Sequence, residues 1–119
     1  MSTDVVFNLA EALTRVDEDE SLFYTLAELF VEQAPIDMAA TQAALDAGDA
    51  EALARAAHRM KGAILQFSAP RVFEATKELE ALGKAGTLDR AATVCAQVDR
   101  ELQQLIAALR AYVANRSAS

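Results

Sequence analysis

The chain has 119 residues, of which 53% are hydrophobic, so it can bury the core of one domain and is not a disordered acidic tail. Its formal net charge of −7 argues against a nucleic-acid partner, because binding to phosphates requires a basic surface. A single cysteine, Cys95, excludes an internal disulfide framework and a four-cysteine zinc site, and its apolar helical context predicts a buried thiol.

Apolar residues recur at three- and four-residue spacing, and β-branched and aromatic residues are too scattered for a sheet. This pattern predicts five helices: Leu9–Val16, Glu18–Ala47, Ala50–Phe67, Ala69–Lys84 and Leu88–Asn115. Capping residues are predicted before four of them: Asn8, Asp17, Asp49 and Thr87. Gly48 is expected to end the second helix, Gly83 and Gly86 the fourth, and Pro35 is expected to kink the second.

The same spacing predicts which residues face inward. In the second helix they are Leu22, Leu26, Leu29, Gln33, Ile36, Ala40 and Ala43. In the third and fourth they are Leu53, Ala57, Met60, Ile64, Phe67, Val72, Thr76, Leu79 and Leu82. In the fifth they are Ala91, Cys95, Val98, Leu102, Leu105, Leu109 and Tyr112. Short connections make neighbouring helices antiparallel, so we expect an all-α fold, an up-down four-helix bundle with the short first helix as a lid over one end.

The only histidine, His58, falls on the third helix. Each residue turns a helix by about 100°, so the core stripe lies within about 40° of Leu53 and His58 lies about 140° away. A lone histidine in an apolar helix is usually a core or rim residue, but this core stripe is complete without it. We therefore predict a solvent-facing imidazole, and a neutral imidazole is a good nucleophile near pH 7.

Small and basic residues surround His58 on this face. Ala54 and Gly62 lie one turn before and after it, and their small size is expected to leave open space beside the ring. A close contact between helices would also favour a glycine. Lys61 is expected to neutralise a phosphoryl group on the ring, with Arg55 as a supporting cation.

Charge is unevenly distributed along the chain. Residues 1–50 carry eleven acidic side chains and one basic one, whereas residues 51–84 carry six basic and four acidic ones. Local positive charge beside a single histidine suits an anionic group such as phosphate. Arg59 is interpreted as an ordinary solvated charge, and Leu65 as part of an apolar docking patch.

The segment Ala57-His58-Arg59-Met60-Lys61-Gly62-Ala63 resembles the signature of bacterial histidine phosphotransfer (HPt) domains, His-x-x-Lys-Gly followed by a small residue. Further segments resemble the family's second, third and fourth helices: Glu32–Pro35, Asp46–Asp49, Leu53–His58, Glu74–Ala75 and Leu79–Glu80. The chain departs from the family pattern at two positions. Ala63 stands where serine is common, and Ser68 stands where glycine is common. Neither departure removes a reacting group.

The resemblance implies that His58 is phosphorylated at Nε2, that Lys61 assists electrostatically and that Gly62 leaves room for a partner. Gln66 matches a position that is often Asn or Gln, and it is expected to hydrogen-bond near the site. The partners implied are a response-regulator receiver domain, whose aspartate exchanges the phosphoryl group, and a sensor or hybrid histidine kinase. Mg²⁺ belongs to the receiver in such relays, so no cofactor or metal is expected on this chain, which is a phosphoryl carrier and not an enzyme.

Two alternatives stay open. A helical module that docks on a kinase or receiver and regulates it without carrying phosphate would share the fold. A haem-binding bundle would require His58 to face inward as a ligand. The sequence has no signal-peptide pattern and no apolar run near the ~18 residues that span a bilayer, so we expect a cytoplasmic, monomeric protein with no membrane contact and one domain over residues 1–119.

Overall fold

The structure, a computed structural model, describes residues 6–117. Its helices are α1 (Leu9–Arg15), α2 (Glu20–Asp46), α3 (Ala50–Leu65), α4 (Pro70–Ala85) and α5 (Ala91–Ser117). Residues 6–117 contain no strand, so the predicted all-helical class is confirmed. The ends of the domain expected over residues 1–119 lie outside the described residues. None of these helices is long and apolar enough to cross a membrane.

Side-chain caps set two of the helix starts as predicted. Asn8 and Asp49 each accept a hydrogen bond of 3.0 Å from the backbone N–H three residues later, which satisfies one of the free donors of a helix start. Gly48 follows α2 with a φ of 67°, a left-handed conformation that a glycine adopts without strain.

Three of the predicted boundaries are wrong. Asp19, not Asp17, caps α2, because Asp17 itself takes a φ of 54° in the turn that precedes the helix. Thr87 does not cap α5, which begins only at Ala91, after a turn in which Leu88 packs against the core. Gly83 lies inside α4, and Gly86 alone ends that helix.

The four long helices pack as a ring, in which α2 and α4 each contact both α3 and α5. Two ion pairs show the relative direction of α4 and α5. Arg71, near the start of α4, pairs with Glu101 of α5. Glu78, further along α4, pairs with Arg90, which precedes Glu101 in the chain and directly precedes α5. The two helices therefore run antiparallel. The stripes predicted for α3 and α5 line the core inside this ring, with Tyr112 only partly buried.

The inward stripe predicted for α2 is wrong by one position. The buried residues are Phe23, Ala27, Phe30, Ala34, Asp37, Met38, Thr41 and Ala44. Leu22, Leu29 and Ile36 are instead 44%, 56% and 61% exposed. Two apolar stripes run side by side along this helix, and the buried one carries the phenylalanines. Their rings bury more area than leucine and pack against Phe67 of the α3–α4 connection.

The short helix α1 covers one end of the ring. Ala12 is fully buried, and the backbone N–H of Asn8 donates to the carbonyl oxygen of Ser68 at 2.9 Å. Arg15 Nε donates to Ser68 Oγ at 3.0 Å. Ser68 has a φ of 51°, which ordinarily favours glycine, and these two hydrogen bonds hold a serine at that position.

Candidate functional site

His58 projects from the outer face of α3, and its side chain is 70% exposed. The opposite face of the helix explains this direction, because Leu53, Ala57 and Ile64 are completely buried. Asp49 caps the same helix and sets its start, while the buried face sets its rotation. The solvent-facing ring disfavours a haem ligand, which would have to point into the ring of helices.

A buried carboxylate lies directly behind the exposed ring. The side chain of Glu80, on α4, is only 4% exposed, and its Oε2 lies 2.8 Å from Nδ1 of His58. Lys61 Nζ lies 2.7 Å from Oε1 of Glu80, and Lys84 Nζ lies 3.2 Å from Oε2. Glu80 therefore joins one imidazole and two ammonium groups from two helices.

These partners keep Glu80 ionised. The ammonium of Lys61, followed by His58 and Lys84, outweighs the opposing effect of burial and lowers the pKa of Glu80 from 4.5 to about 2. A carboxylate can only accept hydrogen bonds, so Nδ1 of His58 must carry the proton that lies between them. The unprotonated nitrogen of the neutral ring is then Nε2, and its lone pair is available to an electrophile.

The two lysines of the site are held differently. Lys61 has a side chain that is 26% exposed, and its ammonium makes a short contact with Glu80. Lys84 is 68% exposed and lies four residues after Glu80 on the same helix. Only the lysine side of this pair is exposed, so water screens the ammonium of Lys84 more than that of Lys61.

The small residues on either side of His58 have different surroundings. A Cβ placed on Gly62 would meet no atom within 4 Å, so this side of the ring is open. The open space expected beside Ala54 is instead occupied by α4, and Ala54 is only 9% exposed. A Cβ on Gly83 would lie 2.8 Å from the backbone nitrogen of Ala54, so these two small residues let α3 and α4 approach closely.

The remaining candidate residues lie around this centre at different distances from it. Arg55 is exposed and lines a groove of about 490 Å³ together with Ala54, His58, Arg59, Glu80 and Lys84. Arg59 is 62% exposed and lies 3.9 Å from Asp37 of α2, which agrees with the predicted solvated charge. Leu65 is 46% exposed and borders a different groove, beside α1. Gln66 borders a groove between α2 and α3 that His58 does not line, and the hydrogen bond of His58 is to Glu80 instead.

Sequence reasoning missed Glu80 and Lys84 as members of the site. A weak signal was present, because Glu80 follows the core residue Leu79 and precedes Lys84 by one helical turn, so a carboxylate was placed at the edge of the core stripe. Its pairing with His58 depends on the register between α3 and α4, which no pattern within either helix contains. No group of three or more potential metal ligands occurs among the described residues.

Comparison with known proteins gives a consistent result. A family model described as Hpt domain matches residues 25–112. Histidine-containing phosphotransfer protein B (HptB) from Pseudomonas aeruginosa PAO1 has a similar structure, with a TM-score of 0.85, 25% identity and coverage of 97% of this chain and 98% of that one. The HPT domain of a sensor hybrid histidine kinase from Shewanella has the same fold, with a TM-score of 0.84, 18% identity and coverage of 92% and 95%. No curated protein sequence matches.

The family match covers all of α3 and α4, and with them the imidazole, the buried carboxylate and both lysines. The protein therefore belongs to the Hpt domain family.

Proposed function

We propose that this Hpt domain is a phosphoryl carrier of a two-component phosphorelay and that Nε2 of His58 accepts the group. The observation that carries the proposal is the 2.8 Å contact between Nδ1 of an exposed imidazole and the buried carboxylate of Glu80. This contact fixes the tautomer and directs the nucleophilic nitrogen away from the protein. An exposed histidine without such a partner would present both nitrogens equally.

In the transfer step, the lone pair of Nε2 attacks the phosphorus of an aspartyl phosphate on the partner. The N–P bond forms while the P–O bond to the aspartate breaks, and the aspartate carboxylate leaves with the bonding electrons. The proton stays on Nδ1, so the ring becomes positively charged, and the carboxylate of Glu80 stabilises that charge. The reverse step returns the electron pair to Nε2 and the phosphoryl group to an aspartate.

The partners of this reaction are a receiver domain of a response regulator and a sensor or hybrid histidine kinase. The receiver supplies the aspartate and the Mg²⁺, while this chain supplies a positioned imidazole and no cofactor. Open space at Gly62 gives the receiver access to the ring. The exposed Leu65, seven residues after His58 on α3, extends the contact surface toward α1.

The carrier acts as a single domain over residues 1–119, a cytoplasmic monomer built as an antiparallel four-helix bundle with α1 added at the N-terminus. Its four long helices hold α3 and α4 in fixed register, so the imidazole and its carboxylate are arranged before any partner binds. Lys61 supports the site electrostatically, because it holds Glu80 at 2.7 Å. Most of the catalytic groups belong to the partner, so the chain by itself is not an enzyme.

Incubation with a radiolabelled, phosphorylated receiver domain tests the proposal. The wild-type protein should acquire a label that is stable to alkali and labile to acid, as expected for an N–P bond. His58→Gln should acquire none, and no other histidine can substitute, because the chain has only one. His58 is exposed, so we expect the variant to fold, and circular dichroism of the variant checks this.

Label that persists in the His58→Gln protein would reject the site assignment. Absence of label in the wild-type protein, combined with equal regulation of the partner by both proteins, would instead favour the non-transferring module.

A further inference from the structure

The site contains two lysines on one carboxylate, although one would suffice to neutralise it. Lys61 contacts Oε1 of Glu80 at 2.7 Å and is 26% exposed. Lys84 contacts Oε2 at 3.2 Å and is 68% exposed. The first is therefore held at the edge of the protein interior, whereas the second makes a longer and well-hydrated contact that water can replace.

Glu80 keeps a partner on each oxygen if Lys84 moves away. Its Oε1 is still bound by Lys61, and its Oε2 is still bound by Nδ1 of His58 at 2.8 Å. Movement of Lys84 therefore leaves no buried oxygen unpaired. Movement of Lys61 would leave Oε1 without a partner at a side chain that is only 4% exposed, which is costly.

The groove beside the imidazole is lined by Lys84 and Arg55 and not by Lys61. Side chains on a helix lean toward its N-terminus, so the ring of His58 leans over the turn that carries Ala54 and Arg55, where this groove lies. Close packing of Ala54 on Gly83 fixes the separation of the two backbones at this level, next to Lys84. The groove thus brings the exposed ammonium of Lys84 from α4 to the side of the ring.

We infer that Lys84 is a second functional lysine of this site: it leaves Glu80 when His58 is phosphorylated and binds the phosphoryl oxygens, while Lys61 remains on Glu80. The inference rests on the proposed phosphorylation of His58. Two negative charges arrive beside the ring in this state, and a charge-assisted hydrogen bond to them is stronger than the exposed contact that Lys84 gives up. No bond to Lys84 forms or breaks; its contribution is ionic.

The equilibrium of phosphoryl groups between a receiver domain and His58 measures this contribution. Lys84→Gln should lower the ratio of phosphorylated His58 to phosphorylated receiver by about tenfold, since a charge-assisted contact is lost from one side of the equilibrium only. Lys84→Arg should stay close to wild type. Lys77→Gln is the matched control, because it removes the same charge from the exposed surface of α4 outside the groove.

A second measurement separates contact with the phosphoryl group from an indirect effect through Glu80. Nitrogen-15 NMR of the single imidazole should show the proton on Nδ1 in unphosphorylated Lys84→Gln, as in the wild type. Phosphorus-31 NMR of protein phosphorylated with phosphoramidate should show a resonance displaced in Lys84→Gln and unchanged in Lys77→Gln.

An equilibrium ratio of Lys84→Gln equal to that of Lys77→Gln would overturn the inference, and so would a changed tautomer in the unphosphorylated variant. Either result leaves the proposed function standing if wild-type His58 is labelled. Failure of phosphoramidate and receiver alike to label the wild-type protein would reject the proposed function itself.

Discussion

At the scale of residues, the site depends on one carboxylate that stays charged while it is nearly enclosed. The side chain of Glu80 is 4% exposed, and burial alone would favour its neutral form. Three donors reverse that preference. One of them is Nδ1 of His58, so the contact that helps to keep Glu80 charged also orients the imidazole. A neutral residue of the same shape at position 80 would separate the two effects.

We expect Glu80→Gln to slow phosphoryl transfer to His58 by about tenfold or more. The amide can still accept a hydrogen bond from Nδ1, but it carries no negative charge to stabilise the ring cation, and its NH₂ group can reverse the tautomer. The rate of label transfer from a phosphorylated receiver measures the effect. Glu78→Gln, on the same helix and 43% exposed, is the control. Equal rates in the two variants would show that the charge at position 80 has no part in transfer.

The sequence was sufficient to predict that the ring of His58 faces solvent, and insufficient to predict that Glu80 contacts it. His58 is separated from the core stripe of α3 by an angle that depends only on spacing within one helix, and the structure confirms that the ring faces solvent. The contact with Glu80 joins residues 22 positions apart, on two helices. Its existence depends on how far α4 slides along α3, which is decided by packing that periodicity does not describe.

At the scale of elements, the contact between Ala54 and Gly83 sets the distance between α3 and α4. The two glycines of these helices have opposite surroundings, since a Cβ on Gly83 would lie 2.8 Å from backbone whereas one on Gly62 would meet nothing within 4 Å. A glycine inside a helix is less favourable than alanine by about 1 kcal/mol, so each must be retained for some other reason. Close packing supplies that reason only for Gly83.

We expect alanine substitutions at the two glycines to change stability in opposite directions. Gly83→Ala forces backbone apart and should lower the free energy of unfolding by roughly 1–3 kcal/mol. Gly62→Ala should raise it by about 0.5–1 kcal/mol, because helix propensity improves and no atom is displaced. Urea unfolding followed by circular dichroism measures both values. The stabilised Gly62→Ala protein should nevertheless transfer phosphate more slowly if a receiver approaches the ring from that side.

Stabilisation by both substitutions would mean that α3 and α4 are not in close contact at Gly83. If Gly62→Ala transferred phosphate at the wild-type rate, Gly62 would not be needed for a receiver to reach the ring.

The register of α2 shows where a pattern within one helix stops being informative. Leu22, Leu29 and Ile36 form a regular apolar stripe, yet all three are exposed. The neighbouring stripe has the same period and is buried, because Phe23 and Phe30 fill the space around Phe67. Periodicity identified the helix correctly and could not rank two stripes that differ in shape more than in hydrophobicity.

At the scale of the whole molecule, the reactivity of Cys95 measures how often the ring of helices opens. Its thiol is 1% exposed, contacts Gln42 of α2 at 3.6 Å, and has its pKa raised by burial and by the nearby Asp99 and Asp46. Reaction with a disulfide reagent requires the exposed thiolate. We expect the native protein to react at pH 8 at least a hundredfold more slowly than the urea-unfolded protein, measured by thiol release. Rapid reaction of the native protein would contradict a thiol enclosed between α2 and α5.

Acid unfolding of the molecule should carry the signature of Glu80. The pKa of Glu80 is about 2 in the folded protein, below the ordinary value of 4.5 for a glutamate. Its ionic contacts therefore stabilise the fold above pH 4.5, and this stabilisation is lost as the pH falls from 4.5 toward 2. The free energy of unfolding should therefore decline through that window more steeply in the wild-type protein than in Glu80→Gln, which has no carboxyl group to protonate. Urea titrations at pH 7, 5, 4 and 3 measure the two slopes, with Glu78→Gln as the control that keeps the wild-type slope. Parallel curves for wild type and Glu80→Gln would mean that protonation of Glu80 costs the fold nothing, and that the imidazole, the two lysines and the bundle hold together without its charge.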